Sequence, residues 1–189
     1  MLILRDVSYA HINKELLFSN VDLVVNHHQK IALIGNNGVG KSTLLKIIAG
    51  ELSPSGGQLK ADTIPYYIPQ VAQQYNHQSI AQVLKVEDKL NALKEILAGN
   101  VTDDSLAVLD DDWTIEDRCH EALDQWGLRG ADLSQKMETL SGGQKTKVFL
   151  SGIFLHKPDL ILLDEPTNHL DKASRQQVYD FIQATKSAL

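Results

Sequence analysis

Hydrophobic positions change period along the 189-residue chain, and the changes mark out its elements. Lys30-Ile31-Ala32-Leu33-Ile34 is a short apolar run that stops at Gly35, the form of a buried strand. From residue 42 to 49, Leu44, Leu45, Ile47 and Ile48 recur at helical spacing, and Gly50 stands where a helix would end. Helical patterns follow over 83–97 and 114–126, with Thr114 and Asp117 spaced as a capping box at the second start. Another helix is predicted from Gln144 to about His156, stopped near Pro158. A last one is predicted from Ala173 to about Gln183, with Val178, Phe181 and Ile182 on one face. Leu160-Ile161-Leu162-Leu163, held between Pro158 and Pro166, predicts a strand buried on both faces of a parallel sheet. The acidic stretch from Asp103-Asp104 to Asp110-Asp111-Asp112 lies between two helical patterns and reads as a solvated loop. Trp113 and Trp126 fall at helical positions and are expected in the core.

The strand over 30–34 and the helix after residue 42 enclose Gly35-Asn36-Asn37-Gly38-Val39-Gly40-Lys41-Ser42-Thr43, a match to G-x-x-x-x-G-K-[ST]. Glycines let such a loop curl around phosphate oxygens with its N–H groups turned inward, on the N-terminus of the helix that follows. Lys41 then reaches the β- and γ-phosphates, and the Ser42 hydroxyl is the expected Mg²⁺ ligand. The strand after Pro158 ends in Asp164 and Glu165, at the sheet edge where ligands bind in open α/β folds. Asp164 suits Mg²⁺, directly or through water, and Glu165 suits the orientation or deprotonation of an attacking water. Between these two motifs stands Leu140-Ser141-Gly142-Gly143-Gln144, small residues opening a helix whose free N–H groups can face an anion.

With those three motifs in that order, the chain resembles an ATP-binding-cassette (ABC) ATPase domain over essentially its whole length. The resemblance implies an α/β P-loop NTPase fold. An antiparallel β layer and the start of a parallel sheet are expected in residues 1–70, and a helical subdomain over about 75–150. The chain is expected to return to the parallel sheet from about 158, within one domain spanning 1–189. The resemblance implies ATP and Mg²⁺ as cofactors. It makes Ser141, Gly142, Gly143 and Gln144 the contacts for the γ-phosphate held by the phosphate loop of an opposing cassette, with Asp171 in a loop at the dimer seam. Tyr9, in Val7-Ser8-Tyr9, resembles the aromatic that stacks on adenine. Gln70, closing Tyr67-Ile68-Pro69-Gln70, resembles the glutamine that contacts Mg²⁺ and the attacking water.

Glu165-Pro166-Thr167-Asn168-His169-Leu170-Asp171 is similar to the ABC-F branch, whose members carry paired cassettes without membrane spans. That similarity implies a second cassette packed head to tail, on the same chain or in a homodimer, and the ribosome as the large partner. The alternative is a transporter's ATP-binding subunit coupled to a membrane subunit. Lys147 stands near the place where the family usually has arginine, and a lysine cannot form a bidentate fork with a carboxylate. The family also has a switch histidine at the end of the next strand. Here Ser187-Ala188-Leu189 stands where that strand would begin, so the sequence looks like a cassette cut short at its C-terminal side.

Composition fits that picture. A hydrophobic content of 43% supports a real core, and a net charge of −6 does not advertise a nucleic-acid surface. Apolar runs fall far short of a membrane span, the N-terminus lacks the form of a signal peptide, and Cys119 is the single cysteine. A cytoplasmic protein without membrane insertion is expected.

Overall fold

The computed structural model describes residues 1–13, 15–70 and 73–189. Its strands are β1 (Leu2–Ala10), β2 (Leu16–Val25), β3 (Gly56–Ala61), β4 (Tyr66–Ile68) and β5 (Ile161–Leu163). Its α-helices are α1 (Lys41–Ile48), α2 (Ile80–Val83), α3 (Glu87–Leu97), α4 (Asp103–Leu109), α5 (Ile115–Gln125), α6 (Gly142–His156) and α7 (Lys172–Ala184). These form two compact units: Met1–Gln70 with Pro158–Asn168 and Lys172–Leu189, and Val71–Lys157 with His169–Asp171.

In the first unit β1 is the middle strand of an antiparallel sheet in the order β2-β1-β3. Its apolar residues do not alternate strictly, because Leu2, Leu4 and Val7 are all buried. The register shifts between Leu4 and Val7, and Asp6 lies in the left-handed region at φ 50°. One extra residue at that bulge returns Val7 to the core face. The bulge brings the Asp6 carbonyl so close to Gly57 that a Cβ there would lie 2.4 Å from it, and φ of +84° at Gly57 also requires glycine. Beneath this sheet Leu44, Ile47 and Ile48 of α1 join Leu2, Leu4, Val25, Leu160 and Leu162 in one apolar cluster. The second sheet pairs β4 with β5 in parallel, Tyr66 opposite Ile161 and Ile68 opposite Leu163. An antiparallel layer and a parallel core are thus both present, as the sequence implies.

The strand expected over 30–34 does not form. Among the described residues its backbone bonding is confined to the Leu189 end: Ile31 N–H donates to the Leu189 carbonyl (2.7 Å), and Leu189 N–H to the carbonyl of the adjacent Gln29 (2.9 Å). Leu33 and Ile34 are exposed, Ile34 at 94%. The residues are strand-like in type, but a strand also needs a hydrogen-bonded neighbour along its length, and no described segment supplies one.

In the second unit, α5 and α6 pack together around Trp126, which is 1% exposed and meets Phe154 edge-on at 6.2 Å between ring centres. Arg118 ties the unit together: its guanidinium donates to Asp112 (2.7 Å) and to the Leu155 carbonyl (3.0 Å). Three sequence expectations are corrected here. The acidic stretch contains a helix, α4, because Thr102 and Ser105 form a reciprocal capping box and Asp103 and Asp104 favour the positive end of the helix dipole. Helix α5 does begin after Thr114, but that residue makes no side-chain cap; at φ −101°, ψ 12° it lacks the extended backbone that aims an N-cap side chain at the first turn. Trp113 is 48% exposed rather than core.

Cys119 is fully buried, and the loss of water around its thiolate pushes the thiol pKa up to about 11. The native chain at pH 8 should therefore resist iodoacetamide, while the urea-unfolded chain reacts at once. Rapid alkylation of the folded chain, read by mass spectrometry, would contradict this burial.

Candidate functional site

The phosphate loop lies between Gly35 and the start of α1, and its conformation explains its glycines. Gly38 and Gly40 have φ of 86° and 100°, left-handed values that turn successive N–H groups to one side. A Cβ on Gly40 would also meet Phe18 at 2.8 Å and Leu17 at 3.0 Å. Leu44 N–H donates to the Gly40 carbonyl (2.8 Å), so helical bonding starts at the loop's end. A cavity of about 400 Å³ opens over this loop, lined by Asn37, Gly38, Lys41, Ser42, Gln70 and Glu165, with His11 and Leu17 on its wall. The Lys41 ammonium is folded onto the carbonyls of Gly35 (2.8 Å) and Asn36 (2.9 Å). A phosphate in the cavity would compete for it with a full negative charge.

The predicted acidic pair meets the loop. Ser42 Oγ donates to Asp164 Oδ1 at 3.0 Å, and the Tyr67 hydroxyl donates to Oδ2 of the same carboxylate at 3.1 Å. Asp164 is 4% exposed, so these two donors compensate a charge largely withdrawn from water. Hydroxyl and carboxylate side by side are hard oxygen donors of the kind Mg²⁺ takes. No group of three or more His, Cys, Asp or Glu side chains suited to a metal occurs among the described residues. An ion at Ser42 and Asp164 would complete its shell with phosphate oxygens and water, as Mg²⁺ commonly does.

Glu165 stands at the end of β5 with φ of 49°, an uncommon left-handed value for a side-chain-bearing residue. Two side-chain amides hold it: Gln70 Nε2 at 2.7 Å and Asn168 Nδ2 at 2.6 Å, both donating to Oε2. Oε1 is left without a protein donor among the described residues and can accept from a water. Gln70, expected from the resemblance to contact Mg²⁺ and the attacking water, donates here to the Glu165 carboxylate. Its neighbours Val71 and Ala72 lie outside the described residues.

Tyr9 is not among the cavity's lining residues. Its ring packs on the core beside Phe18 and meets the His11 ring edge-on at 5.7 Å. His11, two residues on, is the aromatic that faces the phosphate loop's cavity. Sequence reasoning missed His11, Tyr67 and Asn168. A ring at the end of β1 was the available signal for His11; the other two are recognisable only through the partners they meet in the fold.

In the second unit, Ser141 caps α6 in a reciprocal box: its hydroxyl accepts from Gln144 N–H (3.3 Å) while Gln144 Oε1 accepts from Ser141 N–H (2.9 Å). The helix opens at Gly142, two residues earlier than expected. The N–H groups of Gly142 and Gly143 have no acceptor among the described residues, which suits an anion at this helix start. The carbonyl of His169 comes so close that a Cβ on Gly143 would lie 2.7 Å from it. Lys147 reaches Asp171 at 3.5 Å, so the ion pair forms with lysine as a single contact rather than a fork.

Comparison with known proteins agrees with this geometry. The family described as "ABC transporter" matches residues 18–168. Energy-coupling factor transporter ATP-binding protein EcfA2 of Methanospirillum hungatei is 31% identical, over 95% of this chain and 44% of its own length. ABC transporter F family member 3 of Arabidopsis thaliana is 32% identical, over 88% of this chain and 21% of its own length. The dimeric post-hydrolysis structure of the cassette MJ0796 bound to ADP and Pi shares the fold at a TM-score of 0.70. It is 22% identical, over 98% of this chain and 83% of that one. The chain spans less than half the length of the curated relatives it matches. It belongs to the ABC transporter family and is that family's ATPase domain, a P-loop cassette with an antiparallel layer and a parallel core.

Proposed function

We infer that this cassette binds ATP over Gly35–Thr43 and hydrolyses it with Glu165 as the catalytic carboxylate. The observation that carries the reading is convergence: Lys41, Ser42, Gln70 and Glu165 line one cavity, and Asp164 is bonded to Ser42 at its edge. Gly38, Val39 and Gly40 with Asn36 and Asn37 present the backbone around the phosphates, and Lys41 moves from its two carbonyls onto the β- and γ-oxygens. Ser42 and Asp164, with Gln70 nearby, would hold Mg²⁺, which neutralises phosphate charge and polarises the reacting group. Glu165, oriented through Oε2, uses Oε1 to align or deprotonate water. The base packs against the His11 ring, which faces the cavity and is backed edge-on by Tyr9.

Ser141, Gly142, Gly143 and Gln144 cap the γ-phosphate of a second cassette, and that cassette's signature covers the ATP held here. The second copy is a cassette of the same chain or a homodimer. The dimeric state of MJ0796 supports this arrangement. The similarity to an F-family protein and the run Glu165–Asp171 favour a cytoplasmic clamp acting on the ribosome. The equal similarity to EcfA2 supports the second reading, a motor docked on a membrane subunit. No described helix is long and apolar enough to cross a membrane. The test is sedimentation of the Glu165→Gln chain with Mg-ATP, alone and with ribosomes. The chain is expected to be monomeric without nucleotide, to associate with ATP, and to travel with ribosomes only when ATP is present. A tight nucleotide-free dimer, or ribosome binding indifferent to ATP, would contradict the clamp.

A further inference from the structure

Two amides donate to Glu165 Oε2, and they reach it by different routes. Asn168 reaches it locally. Its backbone N–H donates to the Glu165 carbonyl at 3.1 Å, which closes residues 165–168 into a turn. Pro166 fills the second place of that turn, where its fixed φ suits it. The Asn168 side chain then donates from Nδ2 to Oε2 at 2.6 Å, so the two residues are tied through both backbone and side chain. These ties help hold Glu165 at its left-handed φ of 49°, a conformation that persists only where the surroundings fix it. Gln70 comes from 95 positions away, beyond the end of β4, and makes one bond of 2.7 Å to the same oxygen. Together the two donors take both lone-pair sites of Oε2 and leave Oε1 free among the described residues.

Which oxygen stays free is not settled by the glutamate itself. Its last torsion is broad and two-fold, so half a rotation exchanges Oε1 and Oε2 unless a donor tells them apart. Gln70 is poorly suited to that task because its planar amide is shared. Its carbonyl oxygen is the end that a hard cation takes, and any movement toward Mg²⁺ carries the nitrogen with it. The Asn168 amide, by contrast, is committed to Glu165. We propose that Asn168 is the positioning residue for Glu165, a role that rests on Glu165 being the catalytic carboxylate, and that it marks Oε2 so that Oε1 faces the water whatever Gln70 does. The side chain is matched in length to the turn. Serine would end one bond short of Oε2, and glutamine would carry its amide one bond past it. Asn168 is not among the residues lining the phosphate-loop cavity, so its effect falls on the chemical step and not on the binding of ATP.

The test compares two variants that both keep the backbone N–H closing the turn. Asn168→Leu preserves the size of the side chain and removes the donor; Asn168→His returns a ring donor at the same distance from Cβ. Side-chain amide NMR of the isotope-labelled chain reads the contact directly, with the Asn168 pair assigned by its absence in both variants. That pair is expected downfield of free asparagine amides, as a short bond to a carboxylate requires, and should stay there when Mg-ATP is added. Asn168→Leu should lower kcat by about tenfold to a hundredfold with KM little changed, and Asn168→His should recover most of the loss. An Asn168 pair at the free position, or one that moves to it with Mg-ATP, would overturn the proposal. So would parental turnover in Asn168→Leu, or equal losses in the two variants. Glu165→Gln is assayed alongside. If it turns over like the parent, the catalytic reading fails and takes this role with it; if it is impaired while Asn168→Leu is not, only the positioning role fails.

Discussion

Replacing Glu165 by Gln is expected to lower ATP turnover by about 10²–10⁴-fold while leaving nucleotide affinity within a few-fold of the parent. Glutamine keeps the volume and one carbonyl oxygen, so the contacts of Gln70 and Asn168 to that position can persist in part. What disappears is the negative charge that accepts a proton from water, an interaction made mainly in the transition state. The loss should appear in kcat with KM little changed. Equal turnover of the chain with and without Glu165→Gln would remove Glu165 from the chemistry.

Substituting Lys41 by Ala should act on binding instead. Among the described residues lining the cavity its ammonium is the one Lys or Arg donor, and the loss of a charge-assisted bond costs about 1.5–3 kcal/mol. That corresponds to an affinity for ATP weaker by about tenfold to over a hundredfold. AMP, which lacks the β- and γ-phosphates, should lose far less. The Gly35 and Asn36 carbonyls, relieved of Lys41, can turn to water and need no rebuilding, so the folded chain should survive the change. An ATP affinity unchanged in Lys41→Ala would mean that the phosphates bind elsewhere.

Much of the site is legible in the sequence because its signals are local. Residues 35–43 carry their own turn geometry, and the left-handed φ at Gly38 and Gly40 is what their glycines announce. Ser141 and Gln144 likewise form their box within one turn of chain. Asp164 and Glu165 follow an apolar run that reads as a strand, and β5 does run into them. Contacts between distant segments left no such trace. Tyr67 reaches Asp164 only because β4 and β5 are parallel neighbours, and His11 faces the phosphate loop only because β1 ends where it does. Residues 30–34 show the limit most clearly: their composition is that of a buried strand, yet pairing depends on partners that composition does not specify. The helix at Asp103–Leu109 was hidden for the opposite reason, since its acidic face resembles a loop while Thr102 and Ser105, two ordinary residues, cap it.

Nucleotide phosphates are expected on the Gly38–Thr43 backbone, with Lys41 and Ser42 turned toward them. Amide NMR of the uniformly labelled chain titrated with Mg-ATP, and separately with Mg-AMP, tests this most directly. ATP should shift Gly38, Gly40, Lys41, Ser42 and Thr43 most strongly, with Asp164 and Glu165 following, whereas AMP should move His11 and leave the loop nearly still. Shifts that miss the phosphate loop and are confined to residues 31–33 and 161–163, or a loop that responds equally to ATP and AMP, would contradict it.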